Sequence, residues 1–468
     1  MNETKISTPN DIILKAETLR SNLSSGFRDE IVKSLYSEAE VIAKRAVNTA
    51  TDKKYDLDQK IDRLVTSPLT GLPIMLILLG LVIWLTVSGA NVVSEAIATV
   101  LFWIGEQGKS LFNLMSLPWW ITGFVWDGVY LGLAWVVSVM LPPMMIFFPA
   151  FTILEDLGYL PRVAFNLDWL YRKAGAHGKQ SLTMAMGFGC NAAGVISTRI
   201  IDSPRERLIA ILTNNFVPCN GRFPTLIMLG TVFVAAGFSG FSASLIASAS
   251  VIGVVLIGVG FTLFMSWLLT KTVLKGEASA FTLELPPYRK PNIGRILYTS
   301  LIDRSLFVLW RAIQTAVPAG AVIWILANIS FGDVSLARAI ANWLNPFGFL
   351  LGLDGVILLA YIIAIPANEI VVPTMMMVYM GAGSMIAGPA TSQAIHSLLV
   401  DGNGWTMLTA VNLMLFSLLH NPCGTTIATI YKETNSLKWA TLSVVITLGS
   451  AFLVTFLTAT IARLFGWV

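Results

Sequence analysis

The chain has 468 residues, 55% of them hydrophobic and only 12% charged, with a formal net charge of +4. Soluble domains carry about 25% charged residues, so these figures exclude an ordinary water-soluble globule and indicate an all-α polytopic membrane protein. The small net charge leaves no nucleic-acid footprint, and three cysteines do not make the disulfide framework of a small secreted domain.

Residues 1–68 are polar, carry both charge signs and lack the basic start and apolar run of a signal peptide, which predicts a cytoplasmic helical leader. Within it, Ile31, Leu35, Ala39, Ile42 and Ala46 share one helical face. Such a stripe commonly packs inward; the sharper expectation is a docking face for a soluble partner. Runs long enough to span a bilayer, about 20 residues each, lie near 72–89, 128–151, 208–236, 244–273, 312–330 and 439–462. Less regular apolar stretches lie at 181–198, 355–380 and 405–430, for a total of roughly eight to nine membrane-embedded segments. Between the first two long runs, Val93, Ile97, Val100, Ile104, Leu111 and Met115 line one side of 92–115, which predicts a helix lying in the outer interface, anchored by Trp119, Trp120 and Trp126.

Lys53, Lys54, Lys60 and Arg63 precede the first span, and Lys271, Lys275, Arg289, Lys290, Arg295, Arg304 and Arg311 cluster further on. The positive-inside rule puts both regions, and the N-terminus, in the cytoplasm. The stretch 277–294 has adjacent prolines and no apolar period, so it reads as a cytoplasmic linker between a first membrane half (69–276) and a second (295–468). No GxxxxGK[ST] cradle occurs, so no nucleotide-binding site is expected in this chain.

Each half carries polar punctuation where a smooth span is expected. MGFGCNAAG (186–194) is followed by LTNNFVPCNGR (212–222), and IPANEIVVP (365–373) by LLHNPCGTT (418–426). Matched interruptions in two halves point to a transporter's substrate site, and the glycines of the first allow its helix to break. All three cysteines, Cys190, Cys219 and Cys423, fall in these motifs. A thiolate can replace water around a divalent cation and offset its charge, and sulfur favours transition metals over Ca²⁺ and Mg²⁺. An acid at the centre of an inserted helix costs about 3 kcal/mol, which makes Glu369 a second candidate ligand. Asn191, Asn220, Asn368 and Asn421 are candidates either to ligate through their carbonyls or to cap broken helices. His420 is a candidate ligand or a hydrogen-bonded structural histidine, and Met375, Met376 and Met377 are packing residues before they are thioether ligands.

As an ordered set these motifs resemble the membrane region of the ferrous iron transport protein B family. LDQKIDRLVTSPLTGLPI (57–74) resembles that family's entry to the first span, and LEDLGY (154–159) its signature there. GFGCN with TRIIDSPRERLIAIL (198–212), Cys219 and Arg222 resembles the first Gate motif. FTLELPPYRKP (281–291) is similar to the family linker; NEIVV (368–372) and PCGTTIATIYKETNSLKWA (422–440) resemble the second Gate motif and C-terminal signature. The resemblance implies a non-enzymatic, multi-pass importer of the cytoplasmic membrane with Fe²⁺ as its transported substrate. It implies metal contacts from Cys190, Cys219 and Cys423, with Glu369 in the second motif. The GTP-binding domain usual in the family is not expected here, which predicts a separate small GTPase chain, beside a small accessory iron-uptake protein and a homo-oligomer as further partners. Three positions depart from the family pattern: Asn368 for lysine, Ala192-Ala193 for Val-Pro, and Pro373 for glycine. The alternatives kept open are a Gate-type nucleoside or other organic-solute permease, and a non-transporting membrane sensor or scaffold.

Overall fold

A computed structural model describes residues 15, 18, 27–46, 53–67, 69–238, 240–275, 285, 287–331, 334–381 and 392–466. The described chain is almost wholly helical; its strands are a two-stranded hairpin pairing Ser330–Phe331 with Val334–Ser335. Residues 277–284 and 286 of the linker expected at 277–294 lie outside the described residues.

Among the described residues, five helices are long and apolar enough to cross a membrane: Trp119–Asp156, Ser242–Thr272, Ile293–Asn328, Met407–Thr434 and Leu437–Leu464. A sixth arises if the pair Leu336–Leu350 and Gly355–Ile363, bent by 110°, counts as one broken span, and Gly71–Thr86 and Phe223–Val234 are shorter apolar helices. The bend is built locally. Asp354 accepts from Ile357 N at 2.8 Å to cap the second helix, and Asn345 Oδ1 accepts from Gly355 N at 2.7 Å.

Two expectations from apolar patterning change. The interfacial helix read at 92–115 is not separate, because Gly71–Leu114 is one helix of 44 residues. Ser88, Gly89 and Asn91 are weak helix formers, but Ala90 is a strong one and none of the four removes a backbone N–H as proline does. At about 1.5 Å per residue this helix is far longer than a hydrocarbon core is thick. Its distal part packs on the next helix: Lys109 pairs with Asp127 at 2.6 Å, and Tyr130 Oη donates to Leu101 O at 2.9 Å. The apolar run at 208–236 is not a straight span either. It divides into Pro204–Thr213, a short 3₁₀ turn at Asn214–Phe216, a loop, and Phe223–Val234.

The N-terminal stripe also departs from the inward-packing reading. Ile31, Leu35 and Ile42 are 45%, 61% and 60% exposed on the helix Phe27–Ala46, and Ala39 and Ala46 are exposed with them.

The core joins the two halves. Gly128 and Gly320 let the helices Trp119–Asp156 and Ile293–Asn328 cross almost backbone to backbone, since a Cβ on Gly320 would collide with the Gly128 carbonyl. Small residues at such crossings are the usual means of close helix packing in membranes. Both helices contain a π-helical stretch, Gly123–Tyr130 and Thr299–Leu306. Met375, Met376 and Met377 are buried packing residues.

Candidate functional site

In the first half, the helix Gln180–Gly189 stops at Cys190, whose backbone is extended (φ −153°, ψ 126°), and a new helix starts at Asn191. No glycine in GFGCN takes a left-handed conformation. Gly187 and Gly189 lie within the helix, so the reading of glycine as the flexible breaking point is corrected. They permit close approach: a Cβ on Gly189 would strike Phe148, and one on Gly187 would press on the Asn214 amide. The second interruption, Val217 to Arg222, carries Cys219. The two interruptions are pinned together where Asn220 N donates to Gly189 O at 3.3 Å.

The second half repeats this construction. Ala367 is extended (φ −149°, ψ 110°) ahead of the turn Asn368–Ile370, and the helix Met407–Leu419 ends at His420 before a new one begins at Gly424. Here Gly424 N donates to Ile365 O at 2.8 Å. In both halves, therefore, the residue following a cysteine hydrogen-bonds the backbone of the neighbouring break. His420 ties the two breaks further, with Nε2 3.3 Å from Asn368 Oδ1 and Nδ1 2.9 Å from Ser417 O.

Arg222 joins one half to the other. Fully buried, it donates from Nη1 to Asn215 O at 2.8 Å and Leu418 O at 2.7 Å. From Nη2 it donates to His420 O at 3.0 Å, Asn421 O at 3.3 Å and Asn215 Oδ1 at 3.2 Å. Asn215 Nδ2 reaches His420 O at 2.8 Å, and the Asn191 and Asn215 amides meet at 2.9 Å. Carbonyls freed by a broken helix cost several kcal/mol each in hydrocarbon unless they find donors. One guanidinium, with its five N–H groups, supplies donors to four of the oxygens around these breaks.

Between the halves lies a cavity of about 290 Å³ whose wall includes Cys190, Cys219, Cys423 and Glu369. The three thiols, 29 and 204 residues apart along the chain, share one space. Cys219 is buried, while Cys190 and Cys423 are partly exposed, and the Cys423 sulfur lies 3.3 Å from Thr426 Oγ1. The Glu369 carboxylate packs so tightly on Gly221 that a Cβ there would collide with it. Asn191 and Asn368 also line the cavity. Of the other candidates, Asn220 lines a second cavity of about 360 Å³ with Thr86, Ser94 and Thr231, and its amide donates to Met140 O at 3.2 Å. Asn421 bonds the Pro422 carbonyl, and both ring nitrogens of His420 are engaged as above. Among the described residues, no three His, Cys, Asp or Glu side chains stand close enough to hold one metal ion together.

Sequence reasoning missed Asp303, which lines the thiol cavity from the π-helical stretch, and the amides of Asn214 and Asn215. Asp303 carries no local signal, because Arg295, Arg304 and Arg311 on the same helix make a charged residue there ordinary.

Residues 137–233 and 309–437 match the family described as Gate, nucleoside recognition, and residues 251–303 match the ferrous iron transport protein B C terminus. The two Gate blocks hold the two pairs of breaks. Fe(2+) transporter FeoB of Staphylococcus aureus (strain MSSA476) is 28% identical over 470 residues, covering 95% of this chain and 67% of its own length. Fe(2+) transporter FeoB of Campylobacter jejuni is 28% identical over 434 residues, covering 90% and 68%. An Fe(2+) transport protein A/Fe(2+) transporter FeoB fusion protein of Porphyromonas gingivalis is 25% identical, covering 96% of this chain and 56% of its own. No solved structure matches the chain significantly.

Proposed function

We propose that this chain, a relative of the Fe(2+) transporter FeoB over nearly its whole length, carries Fe²⁺ inward across the cytoplasmic membrane through the cavity between its two Gate halves. The observation that carries this reading is the convergence of Cys190, Cys219, Cys423 and Glu369 on one space. A divalent ion entering low dielectric must exchange water for ligands that offset its charge, and thiolates and a carboxylate do both. Transport needs binding weak enough to release, so the ion meets these groups in succession. Asn191 and Asn368 add amide oxygens along the wall, and Arg222 ties the broken backbones of the two halves together.

Partners follow from the same reading. The exposed stripe of Ile31, Leu35 and Ile42 is the proposed docking face for a GTP-binding partner. A small accessory protein is suggested by the Porphyromonas relative, which joins Fe(2+) transport protein A to FeoB in one chain.

The test is Fe²⁺ uptake into vesicles containing the purified full chain. Cys190→Ser is expected to lower uptake about tenfold or more, the loss of roughly 1.4 kcal/mol of stabilisation along the path. Normal uptake in Cys190→Ser, Cys219→Ser and Cys423→Ser alike would remove the thiol path. The Gate match, described as nucleoside recognition, makes uptake of a labelled nucleoside the second arm. Saturable nucleoside entry without metal entry would replace this reading with a solute permease.

A further inference from the structure

The lining of the thiol cavity is unevenly covered. Met140 and Phe148 are buried, and Asn220 of the second cavity donates to the Met140 carbonyl. Ser197, which adjoins the exposed, charged turn holding Arg199 and Asp202, is half-buried, and Asp303 is exposed. Asp303 is exposed as a residue and yet lines the cavity, so its carboxylate stands at the mouth. It lies ten residues into the helix that begins at Ile293, about 15 Å along its axis at 1.5 Å per residue. That helix follows the basic stretch which the positive-inside rule assigns to the cytoplasm.

Asp303 sits in the π-helical stretch Thr299–Leu306, one of three such stretches among the described residues, an i→i+5 arrangement that is frequent at functional sites. This stretch is held in place from both sides. Ser305 Oγ donates to Ser300 O at 2.8 Å, and Ser300 Oγ bonds Thr152 Oγ1 at 3.0 Å on the neighbouring helix.

We propose that Asp303 is the exit ligand of the path, a carboxylate at the cytoplasmic mouth that takes a divalent cation from the thiols and passes it to water; this rests on the metal-uptake reading above. The exchange is chemically graded. A soft sulfur ligand holds a transition-metal ion more firmly than a hard oxygen does, and carboxylate exchanges readily with water. An ion leaving the last thiol directly for solvent would have to lose its sulfur ligand with no partner to compensate. A carboxylate at the rim lets ligands be replaced one at a time. Asp303 therefore acts on release more than on capture.

The test uses the full chain in proteoliposomes with a downhill Fe²⁺ gradient kept reduced, together with Co²⁺ titration of the detergent-solubilised protein. Thiolate-to-cobalt charge-transfer absorption reports the cysteines independently of flux. Asp303→Asn is expected to lower the maximal rate about tenfold while KM and the cobalt band stay near wild type, because a transport step is slowed without loss of binding. Asp303→Glu is expected to recover most of the rate, which separates a missing carboxylate from a misfolded helix. Cys190→Ser should show the opposite pattern, a weakened cobalt band. Wild-type flux in Asp303→Asn beside impaired Cys190→Ser would overturn the exit role and leave the thiol path standing. Loss of the cobalt band in Asp303→Asn would also overturn it, by moving Asp303 into the holding site. Normal flux in all three serine variants would sink the thiol path and the exit role with it.

Discussion

The two halves share a construction and differ in chemistry. Cys190 and Ala367 occupy the same extended conformation at the head of a restarted helix, and in each half the residue after a Pro-Cys pair hydrogen-bonds the adjoining break. The first half, however, sends two thiols into the cavity, and the second sends one thiol and Glu369. The backbone device is thus repeated while the ligands are not. The repeat builds a cavity with several of its freed carbonyls answered, and the side chains set on that frame decide what can pass. The stitch is one-sided too: Arg222 of the first half serves carbonyls of the second, and no described arginine returns the favour at these breaks.

The largest expected effect comes from cutting that stitch. Arg222→Ala leaves the carbonyls of Leu418, His420 and Asn421 without their guanidinium donor in a buried site. Hydrogen bonds to a charged group are worth about 1.5–3 kcal/mol each, so the variant should lose at least ~3 kcal/mol and most of its folded yield. Arg222→Lys should rescue little, because an ammonium has three donors and no planar fork. Thermal unfolding of the detergent-solubilised protein measures this, and a melting temperature equal to wild type would show that the halves are held elsewhere.

Next in size is the contrast in ligands. Replacing the thiols and replacing the carboxylate should alter selectivity in opposite senses. Cys190→Ser is expected to depress Cd²⁺ and Zn²⁺ flux more than Mn²⁺ flux, and Glu369→Gln the reverse, each by about tenfold for the affected class. Competition of these ions against Fe²⁺ uptake reads the difference. Equal loss for all ions in both variants would mean that the asymmetry between the halves is not used for selection. A smaller change, a few-fold, is expected from Gly221→Ala, since the added methyl pushes the Glu369 carboxylate off the first-half turn without removing it. Combining it with Glu369→Gln should add little, because contacting residues are not independent.

Much of this was legible beforehand. The cysteines, Glu369 and the interruptions were readable because a polar or Pro-punctuated segment inside an apolar run has few bland explanations. What was hidden depends on distance in space. The partners of Arg222 lie 196, 198 and 199 residues away, so nothing local marks that side chain as a bridge. The π-helical setting of Asp303 is equally silent, because a shift from i→i+4 to i→i+5 bonding leaves no compositional trace. Gly71–Leu114 misled for a simpler reason: Ser88 to Asn91 look like a turn by composition, and packing on the next helix carries the helix through them. The exposed stripe of Ile31, Leu35 and Ile42 shows the reverse limit, since helical spacing reveals an apolar face and not what covers it.

The smallest expected effect belongs to a second arginine that spans the same two halves. Arg199, beside the first break, makes a bidentate pair with Glu433 at 2.9 and 2.6 Å, on the helix that begins after Cys423. By distance alone it looks stronger than any single bond of Arg222. Its arginine side chain is 66% exposed, however, while Glu433 is 13% exposed, so solvent and salt reach the pair from the arginine side and weaken it. Removing Arg199 leaves one mostly covered carboxylate, Glu433, without this partner, whereas removing Arg222 strands several buried carbonyls. Arg199→Ala should therefore shift the melting temperature far less than Arg222→Ala does, with the larger part of the shift appearing at low ionic strength. A large, salt-independent loss would show that the exposed pair, not the buried guanidinium, locks the two halves together, and the order of effects given above would have to be inverted.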